Sequence, residues 1–345
     1  EALRRRFGDE VEILFVGAEG KMEMTLIPRL GYRIKGLPIA GLQRRLTWRN
    51  LSLPLHVLRS LKRARAIIRE FRPDVVAGFG GYASAPIVWM AQRMGIPTII
   101  QEQNSYAGLV NKIVGRGAKS VCVAYDGMER FFDACKIVMT GNPLRSAFAK
   151  GTVSREEALK YYGFNDKLPV LLVVGGSLGT RTLNNMMKSW LMTLDGEAPV
   201  QVIWQTGRYY EAEMRAFLDQ YPTKNVWQGA FIDRMDYAYE AADVAISRSG
   251  ACTVSELCIA AKPTLFVPSP NVAEDHQTKN AQALVDKKAA VMVADADAVD
   301  CGISTALRLI ADKERLTMLS KNIAKLATPD AADRVVDEIV RYWGK

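Results

Sequence analysis

Two glycine-rich turns carry the residue types that bind phosphate groups. The first, GGSLG, follows the apolar strand PVLLVV and precedes a helix beginning near Thr180, and its glycines are Gly175, Gly176 and Gly179. In the second, Gly250 and Ala251 follow the strand DVAIS. Glycines let backbone N–H groups turn towards a ligand, and the positive end of a helix dipole attracts phosphate oxygens. We therefore expect a diphosphate site. Neither turn is a P-loop or a complete GxGxxG motif, and a tight turn without a ligand would have the same sequence.

Polar residues near these turns have side chains suited to a nucleoside and a sugar. Glu256 lies about one and a half helical turns after Gly250. There a carboxylate can accept hydrogen bonds from both hydroxyls of a ribose; the alternative is a solvated helix residue. Gln277 and Asn280 are three residues apart and share a helical face, which suits several hydroxyls of one sugar. His276 has no acidic or cysteine partner visible in the sequence, so we interpret it as a helix cap or surface residue.

The first half of the chain has its own glycine turn and its own polar cluster. Gly80, Gly81, Tyr82 and Ser84 follow the strand DVVAG, and the cluster QEQN at 101–104 ends the strand PTII. Consecutive amide and carboxyl side chains at a strand end are poor core residues and good sugar ligands, because amides both donate and accept hydrogen bonds. The alternative is an N-cap cluster for the next helix.

Alternating strands and helices must position these residues. Apolar runs at 11–17, 75–77, 98–100, 121–124 and 137–140 are separated by helical segments near 48–71, 82–94 and 106–115. A second series of strands, each followed by a helix, is expected at 170–174, 200–205, 225–227, 244–247, 264–267 and 290–293. Short apolar runs between helices indicate parallel sheets covered on both faces. We expect an α/β protein with two Rossmann-like, doubly wound parallel-sheet domains and a ligand cleft between them.

The change of pattern after residue 141 divides the chain. We assign residues 1–141 to an N-terminal domain, 142–167 to a polar linker and 168–345 to a C-terminal domain, with the last helix able to pack back on the N-terminal domain. Arg145 lies at this joint. Its guanidinium could pair with a phosphate or simply hold the linker, and the spacing does not decide between the two.

Composition excludes several classes of protein. The chain has 345 residues, of which 49% are hydrophobic and 24% charged, as expected for a globular protein of about two domains and not for a disordered one. No apolar run reaches the ~18 to 20 residues of a spanning helix, and the start lacks the apolar region of a signal peptide. The five cysteines form no Cys-x-x-Cys pair, which predicts free thiols in a reducing, cytosolic environment and no zinc cluster. We expect neither a metal nor another cofactor.

Positive charge is concentrated in the first part of the chain. Residues 1–141 contain 22 Lys and Arg against 12 Asp and Glu, whereas the remainder contains 24 against 25. Within 29–72, twelve basic residues and one acidic residue are interleaved with leucines and a tryptophan. This mixture favours an anionic membrane surface; a solvated helix is the alternative, and we expect no nucleic acid because a duplex would leave the leucines unused. The residues expected at the membrane are Leu42, Arg44, Arg45, Trp48 and Arg49.

Seven motifs, taken in order, resemble one family: the bacterial N-acetylglucosaminyltransferases of peptidoglycan synthesis, the MurG family, which convert lipid I to lipid II. One motif alone is a poor indicator, but seven in register are specific, and they cover the chain from about residue 11 to its end. The motifs are GGYASAP at 80–86, QEQNSYAG at 101–108, GNPLR at 141–145, GGSLGTR at 175–181, FIDRM at 231–235, SRSGACTVSE at 247–256 and EDHQTKNA at 274–281.

The resemblance implies a GT-B fold with the donor, UDP-N-acetylglucosamine (UDP-GlcNAc), bound mainly by the C-terminal domain. It implies that Ser177 contacts the diphosphate, the Ile232 backbone the uracil, and Glu256 the ribose hydroxyls. Gln277 and Asn280 would bind the N-acetylglucosamine hydroxyls. The residues implied at the phosphates are Ala251, Cys252, Thr253, Val254 and Ser255, and those that would complete the donor site are Asn104 and Arg145.

The resemblance also implies an acceptor, lipid I, on the side of the turn at 80–84. It implies a peripheral protein on the cytoplasmic face of the bacterial inner membrane, with a role in cell-wall biogenesis, cell shape and division. The expected partners are UDP-GlcNAc, lipid I, the anionic membrane surface and other cell-wall synthesis proteins.

Two departures from the family pattern concern catalysis. The family's first loop, GGTGGH, carries the His most often proposed as the general base; we expect this sequence to begin after that loop, so that the His would precede Glu1. Gln101 stands where many members have His, and Ala85 where Gly is usual. Gln101 cannot act as a base at neutral pH, whereas Glu102 is chemically able to.

The expected reaction is an inverting single displacement, in which the muramyl 4-hydroxyl of the acceptor attacks the anomeric carbon of UDP-GlcNAc. Two alternatives stay open. One is another GT-B enzyme that uses UDP-sugars, either a lipid glycosyltransferase or a UDP-GlcNAc 2-epimerase. The other is a non-catalytic, membrane-bound scaffold that keeps the donor site and lacks the base.

Overall fold

A computed structural model of the chain describes residues 1–39, 53–144, 153–176 and 178–344. The chain forms two compact units: Glu1–Pro143 with Asp330–Lys345, called unit 1 below, and Leu144–Pro329, called unit 2. The segment expected as a linker belongs to unit 2 from residue 144 onward. The C-terminal segment belongs to unit 1, a placement that the expected domain division allowed for the last helix.

Twelve β-strands and fourteen α-helices lie in the described residues. The strands are β1 Leu14–Ala18, β2 Arg33–Leu37, β3 Val76–Gly78, β4 Thr98–Glu102, β5 Ser120–Val123, β6 Ile137–Met139, β7 Val170–Val174, β8 Glu197–Gln205, β9 Lys224–Gly229, β10 Val244–Ser247, β11 Thr264–Phe266 and β12 Val291–Met292. The helices are α1 Ala2–Phe7, α2 Glu23–Arg29, α3 Leu53–Phe71, α4 Ser84–Arg93, α5 Leu109–Gly115, α6 Arg155–Tyr161, α7 Arg181–Leu191, α8 Glu211–Gln220, α9 Met235–Ala241, α10 Ala251–Ile259, α11 His276–Val285, α12 Ala298–Ala311, α13 Lys313–Ala324 and α14 Ala331–Val340.

The strands of unit 1 form two parallel sheets. β1 pairs with β2, and β3 to β6 pair in chain order. The sequence predicts no strand at 33–37, because Arg33 and Lys35 interrupt the apolar pattern, so β2 is an addition to the expected fold. One hydrophobic cluster nevertheless includes Leu37 of β2, Ile67 of α3 and Ile100 of β4. The two sheets and the helix therefore share a core.

The last helix, α14, packs within unit 1. Arg5 of α1 forms an ion pair with Asp333 at 2.6 Å, and the rings of Phe7 and Trp343 meet edge to face with centroids 5.0 Å apart. Ser120 of β5 donates a hydrogen bond to Glu338 at 2.6 Å. These contacts explain why the C-terminal segment belongs to unit 1.

Unit 2 contains one sheet of six parallel strands, in the order β9-β8-β7-β10-β11-β12. The chain starts in the middle of the sheet at β7, builds outward to β9, and returns beside β7 as β10 to build the other half. This is the doubly wound order, in which the reversal between β7 and β10 leaves a crevice at the carboxyl ends of the strands. All six strands expected from the second apolar series are present, because short, fully buried runs such as β7 are the pattern of a central parallel strand.

Helix α6 lies in the segment expected as a linker. A capping box begins it, since the Ser154 side chain accepts from the Glu157 backbone and the Glu157 side chain accepts from the Ser154 backbone. Arg155 then donates two hydrogen bonds to Asp243, at 2.8 and 3.0 Å, and Asp243 also accepts from the Val170 N–H at 2.8 Å. These contacts attach α6 to the first residues of the central strands of unit 2.

Candidate active site

Two strand-to-helix turns meet at the carboxyl edge of the unit 2 sheet. β7 and β10 are hydrogen-bonded neighbours, and their last residues, Val174 and Ser247, are register partners. The chain leaves β7 through Gly175 and leaves β10 through Arg248, so both turns lie where the strand order reverses. The two turns expected to bind phosphate are therefore adjacent in space, although about seventy residues separate them in the chain.

The first turn is held in a shape that only glycine allows. Gly176 and Gly179 have φ values of +82° and +84°, and the Gly179 N–H donates to the Gly176 carbonyl at 2.9 Å. A Cβ on Gly179 would lie 2.2 Å from the Thr206 carbonyl oxygen, which belongs to the neighbouring turn after β8. The backbone of the turn therefore packs directly against other backbone.

In neither α7 nor α10 does the side chain of the N-cap residue accept a hydrogen bond from the helix backbone. The N-cap residue of α7 is Thr180, whose hydroxyl donates backward to the Gly175 carbonyl at 2.8 Å instead of accepting from the helix. The N-cap residue of α10 is Gly250, which has no side chain to offer. Helix starts of this kind present backbone N–H groups and the positive end of the dipole, which suits phosphate oxygens.

Glu256 lies on α10 beside a buried tyrosine. Its Oε2 accepts a hydrogen bond from the Tyr239 hydroxyl at 2.9 Å, and Glu256 itself is half-buried. Burial, followed by the charge of Glu256, raises the pKa of the Tyr239 hydroxyl well above its ordinary value. Tyr239 therefore stays protonated at neutral pH and donates to the carboxylate. Glu256 lies about one and a half turns, or about 8 Å along the helix axis, from the start of α10.

The other α10 residues expected at the phosphates have different surroundings. Cys252 is exposed, and Val254 is buried in the core. The Ser255 hydroxyl donates to the Ala251 carbonyl one turn earlier, at 3.0 Å. Ala251 and Thr253 are half-buried. The buried Val254 side chain belongs to the core, and the expected position of residues 251–255 at the phosphates stays a prediction.

Helix α11 packs against the second turn. The Gln277 carbonyl accepts from the Ser249 hydroxyl at 2.8 Å, and the Gln277 side-chain oxygen accepts from the Ser269 N–H at 2.9 Å. Asn280 is fully buried, and its amide donates to the Ser249 carbonyl at 3.2 Å. Asn280 therefore has no accessible surface in this arrangement, and its contact with sugar hydroxyls stays a prediction. His276, at the start of α11, lies with Nδ1 2.7 Å from the Ala273 carbonyl.

A partly buried arginine, Arg248, was not predicted as a site residue from the sequence, and it connects three loops of unit 2. Arg248 donates to the carbonyls of Val267 and Pro268, at 2.7 and 3.0 Å, and forms an ion pair with Asp295 at 2.5 Å. Asp295 also accepts from the Thr182 hydroxyl in the first turn of α7, at 3.1 Å. The loops after β10, β11 and β12 are thus attached to α7. No local spacing could reveal this, because the partners are far apart in the chain.

Ile232 lies in the segment that follows β9. Ile232 as a whole is buried, and its expected backbone contact with uracil stays a prediction. Its neighbour Phe231 is half-exposed, with the Arg208 guanidinium 5.8 Å from the ring centroid.

The glycine turn of unit 1 joins β3 to α4. Gly80 and Gly81 have φ values of +80° and +76°, and the Ser84 hydroxyl donates to the Gly80 carbonyl at 2.6 Å. Half of the Tyr82 side chain is exposed. The turn is therefore a rigid strand-to-helix connection with an exposed aromatic ring beside it.

Glu102 is a buried hydrogen-bond acceptor at the end of β4. Its Oε1 accepts from the backbone N–H and the amide of Asn104, at 3.1 and 3.3 Å. Its Oε2 accepts from the Gly108 N–H at 3.0 Å and from the Asn111 amide at 2.9 Å. A carboxylate with four donors and only 2% exposure is a structural anchor of the 103–108 loop. These contacts give Glu102 a structural role, and its assignment as a base stays a prediction.

We expect Glu102→Gln to destabilise the protein by about 2 to 4 kcal/mol, because the new amide group would face N–H donors that the carboxylate now satisfies. Chemical unfolding measures this loss, with Glu129→Gln at an exposed position as the matched control. If Glu102→Gln kept wild-type stability and lost turnover alone, the carboxylate would have to act in the reaction.

Gln101 is also buried. Its amide donates to Asn142 Oδ1 at 3.0 Å, and the Asn142 amide donates to the Gln103 carbonyl at 3.0 Å. Gln101 and Glu102 thus make hydrogen bonds inside unit 1, and the prediction that the four polar residues at 101–104 form a sugar site stays untested. Gln103 and Asn104 are half-buried.

Several expected residues lie outside the described part of the chain. They are Ser177, Arg145, Leu42, Arg44, Arg45, Trp48 and Arg49. Within the part that is described, no group of three or more His, Cys, Asp or Glu side chains could hold a metal ion, and all five cysteines are free thiols. Among the same residues, no helix has both the length and the apolar character to cross a membrane.

Comparison with known proteins identifies the family. The model of the glycosyltransferase family 28 N-terminal domain matches residues 2–123, and the C-terminal domain model matches residues 170–335. A protein of Parabacteroides distasonis is 53% identical over 342 residues, which are 99% of this chain and 92% of the relative. It is named UDP-N-acetylglucosamine–N-acetylmuramyl-(pentapeptide) pyrophosphoryl-undecaprenol N-acetylglucosamine transferase. The chain belongs to the MurG family. A MurG-family relative from Bacteroides fragilis, with the same name, is 50% identical over 96% of this chain and 88% of its own length.

Solved structures agree with membership of the MurG family. The crystal structure of MurG from Acinetobacter baumannii has a TM-score of 0.78 at 27% identity, and the match covers 99% of this chain and 94% of that one. A UDP-GlcNAc 2-epimerase from Neisseria meningitidis has a TM-score of 0.62 at 12% identity over 96% of this chain and 91% of its own, a likeness of fold alone. The fold is GT-B, and the chain is a hexosyltransferase of the MurG family. The predicted fold class and family are confirmed.

Proposed function

We propose that this chain transfers N-acetylglucosamine from UDP-GlcNAc to the muramyl 4-hydroxyl of undecaprenyl-pyrophosphoryl-MurNAc-pentapeptide. The acceptor hydroxyl loses its proton as its oxygen attacks the anomeric carbon and the bond from that carbon to the diphosphate oxygen breaks, so that a β-1,4 link, UDP and a proton are formed. Membership of the MurG family supports the choice of substrates. The observation that carries the mechanism is the adjacency of two N-terminal helix ends at the strand-order reversal of unit 2.

The two helix ends supply charge stabilisation for the leaving diphosphate. Negative charge develops on the phosphate oxygens as the sugar bond breaks, and fixed dipoles that already point at this position need no reorganisation. The turn glycines Gly175, Gly176, Gly179 and Gly250 allow backbone N–H groups to approach the phosphates. Ser177 and Arg145 are proposed as further contacts from the motif positions alone. A tightly bound metal is not required in this scheme.

The remaining donor contacts follow from the surroundings of each residue. Glu256 accepts from the ribose hydroxyls, and the Ile232 backbone contacts the uracil. Gln277 contacts the N-acetylglucosamine, whereas Asn280 supports the turn after β10 by donating a hydrogen bond to the Ser249 carbonyl. The backbone of 251–255 lies at the phosphates, and Asn104 stays a proposed donor contact.

The acceptor side is proposed to include Gly80, Gly81, Tyr82 and Ser84. A turn of consecutive left-handed glycines at a strand end can approach a diphosphate closely, and the exposed Tyr82 ring can pack against a sugar or a lipid. We assign no catalytic base, because Gln101 cannot act as one at neutral pH and the Glu102 carboxylate is buried and hydrogen-bonded.

We propose that unit 1 docks on the cytoplasmic face of the bacterial inner membrane. The described part of α3 has one face in the core, including Ile67 and Ile68, and an opposite face that exposes Leu58 together with Arg59 and Lys62. A basic helix face with an exposed apolar residue fits an anionic headgroup layer. Other cell-wall synthesis proteins are proposed as partners on the family relationship alone.

Reversing two charges on this face should weaken membrane binding. We expect Arg59→Glu with Lys62→Glu to lower binding to phosphatidylglycerol vesicles at least about tenfold at low salt, since each basic residue contributes ~1 kcal/mol near such a surface. Vesicle sedimentation measures the partition coefficient. Lys313→Glu with Lys321→Glu on α13 is the matched control, and equal binding by the two double variants would contradict the docking face.

The transfer assay decides between the proposed function and its alternatives. Purified full-length protein is mixed with UDP-GlcNAc and a soluble lipid I analogue, and the products are identified by mass spectrometry. Formation of the disaccharide with release of UDP is the expected result. Interconversion of the free nucleotide sugar would indicate an epimerase, and binding of UDP-GlcNAc without turnover would indicate a scaffold; either result would overturn the proposal.

A further inference from the structure

A buried tyrosine controls the orientation of the carboxylate proposed to bind ribose. Tyr239 lies on α9, is 4% exposed, and donates from its hydroxyl to Glu256 Oε2 at 2.9 Å. Glu256 lies on the neighbouring segment of chain, in α10, and is half-buried. The contact therefore joins two helices that flank β10.

A hydrogen bond to one carboxylate oxygen determines where the other oxygen points. Glutamate has three side-chain torsions, and the last of them is broad and roughly two-fold, so an unrestrained carboxylate samples many orientations. Donation by Tyr239 to Oε2 restricts this rotation and sets the direction of Oε1. A ribose hydroxyl that donates to the carboxylate is then bound without the entropic cost of ordering that carboxylate.

The direction of donation is fixed as well. The pKa of Tyr239 is raised by burial and by the negative charge of Glu256, so the phenol keeps its proton at neutral pH and acts as donor. A charge-assisted hydrogen bond of this kind is stronger than one between neutral groups. The tyrosine is too deeply buried to reach a nucleotide itself, and any effect on binding has to pass through Glu256.

We propose that Tyr239 is a positioning residue that sets the selectivity of the donor site for ribose over 2′-deoxyribose. The inference rests on the proposed function, because it takes Glu256 as the ribose ligand. It also connects two parts of the donor site. Helix α9, which carries Tyr239, directly follows the segment that holds Ile232, so the residue proposed to contact the base and the residue proposed to orient Glu256 lie close together in the chain.

The test compares the affinities of UDP and 2′-deoxy-UDP by isothermal calorimetry. We expect the wild type to prefer UDP about tenfold or more, as for the loss of a hydrogen bond to a charged group. In Tyr239→Phe, the ratio of the affinity for UDP to that for 2′-deoxy-UDP should fall to within about twofold of the ratio in Glu256→Gln. The double variant should show no further fall in this ratio, since the two residues act as one unit. Tyr237→Phe, on the same helix with its ring 4.0 Å from the Arg234 guanidinium, is the matched control and should keep the wild-type ratio.

The outcomes separate the inference from the function on which it rests. A wild type that does not bind UDP would overturn the proposed donor site. A wild type that prefers UDP, together with a folded Tyr239→Phe variant that keeps the same preference, would overturn only the role of Tyr239. If Tyr239→Phe fails to fold, 3-fluorotyrosine at position 239 replaces it as a stronger donor of nearly equal size. The ratio should then equal or exceed that of the wild type, and a fall to the Glu256→Gln ratio would overturn the inference.

Discussion

Gly207→Ala should cost about 3 kcal/mol or more of folding free energy and abolish nucleotide binding. Gly207 has a φ of +82°, and a Cβ there would lie 2.1 Å from both the Cα and the N of Gly179. Backbone cannot move aside as the end of a flexible side chain can. The turn after β7 would therefore be displaced from the carboxyl edge of the sheet, and with it the start of α7. Urea unfolding and UDP calorimetry measure the two effects.

Gly176→Ala is the matched control for this prediction. Gly176 has the same φ of +82°, but a Cβ there would have no atom within 4 Å. Its cost should be limited to the ~1 to 2 kcal/mol of a non-glycine residue in the left-handed region. Similar losses of stability for Gly176→Ala and Gly207→Ala would mean that the close approach of the two turns is not what stabilises the site.

Glu256→Ala should weaken the binding of UDP-GlcNAc by roughly ten- to a hundredfold, because hydrogen bonds to a charged group contribute about 1.5 to 3 kcal/mol. The loss is expected in affinity for any ligand with a ribose diol, and it should be much smaller for 2′,3′-dideoxy-UDP. Calorimetry with both nucleotides measures the difference. Glu213→Ala, which removes a surface ion pair with Lys188, is the control. Unchanged affinity in Glu256→Ala would exclude the ribose role.

Much of the fold could be predicted because its strands are buried on both faces. Runs such as 170–174 and 244–247 have no polar side, and only a central parallel strand accommodates them. β2 was missed for the opposite reason, since Arg33 and Lys35 give it no continuous apolar run. α6 could have been found from Ser154 and Glu157, whose spacing is that of a capping box.

The site was less predictable than the fold because side-chain burial depends on distant partners. The glycine turns could be found from local spacing, since a turn is a local structure. The burial of Glu102 depends on donors from the following loop and helix, and that of Asn280 on the turn after β10. The network of Arg248 and Asp295 joins loops that only the sheet order brings together.

The position of the diphosphate tests the central claim most directly. Crystals grown with UDP-GlcNAc should show both phosphates at the carboxyl ends of β7 and β10, within hydrogen-bonding distance of backbone N–H groups in the turns at 175–180 and 249–251. The ribose should then lie beside Glu256. A nucleotide bound elsewhere in unit 2, or held at its phosphates by side chains without these N–H groups, would contradict the account.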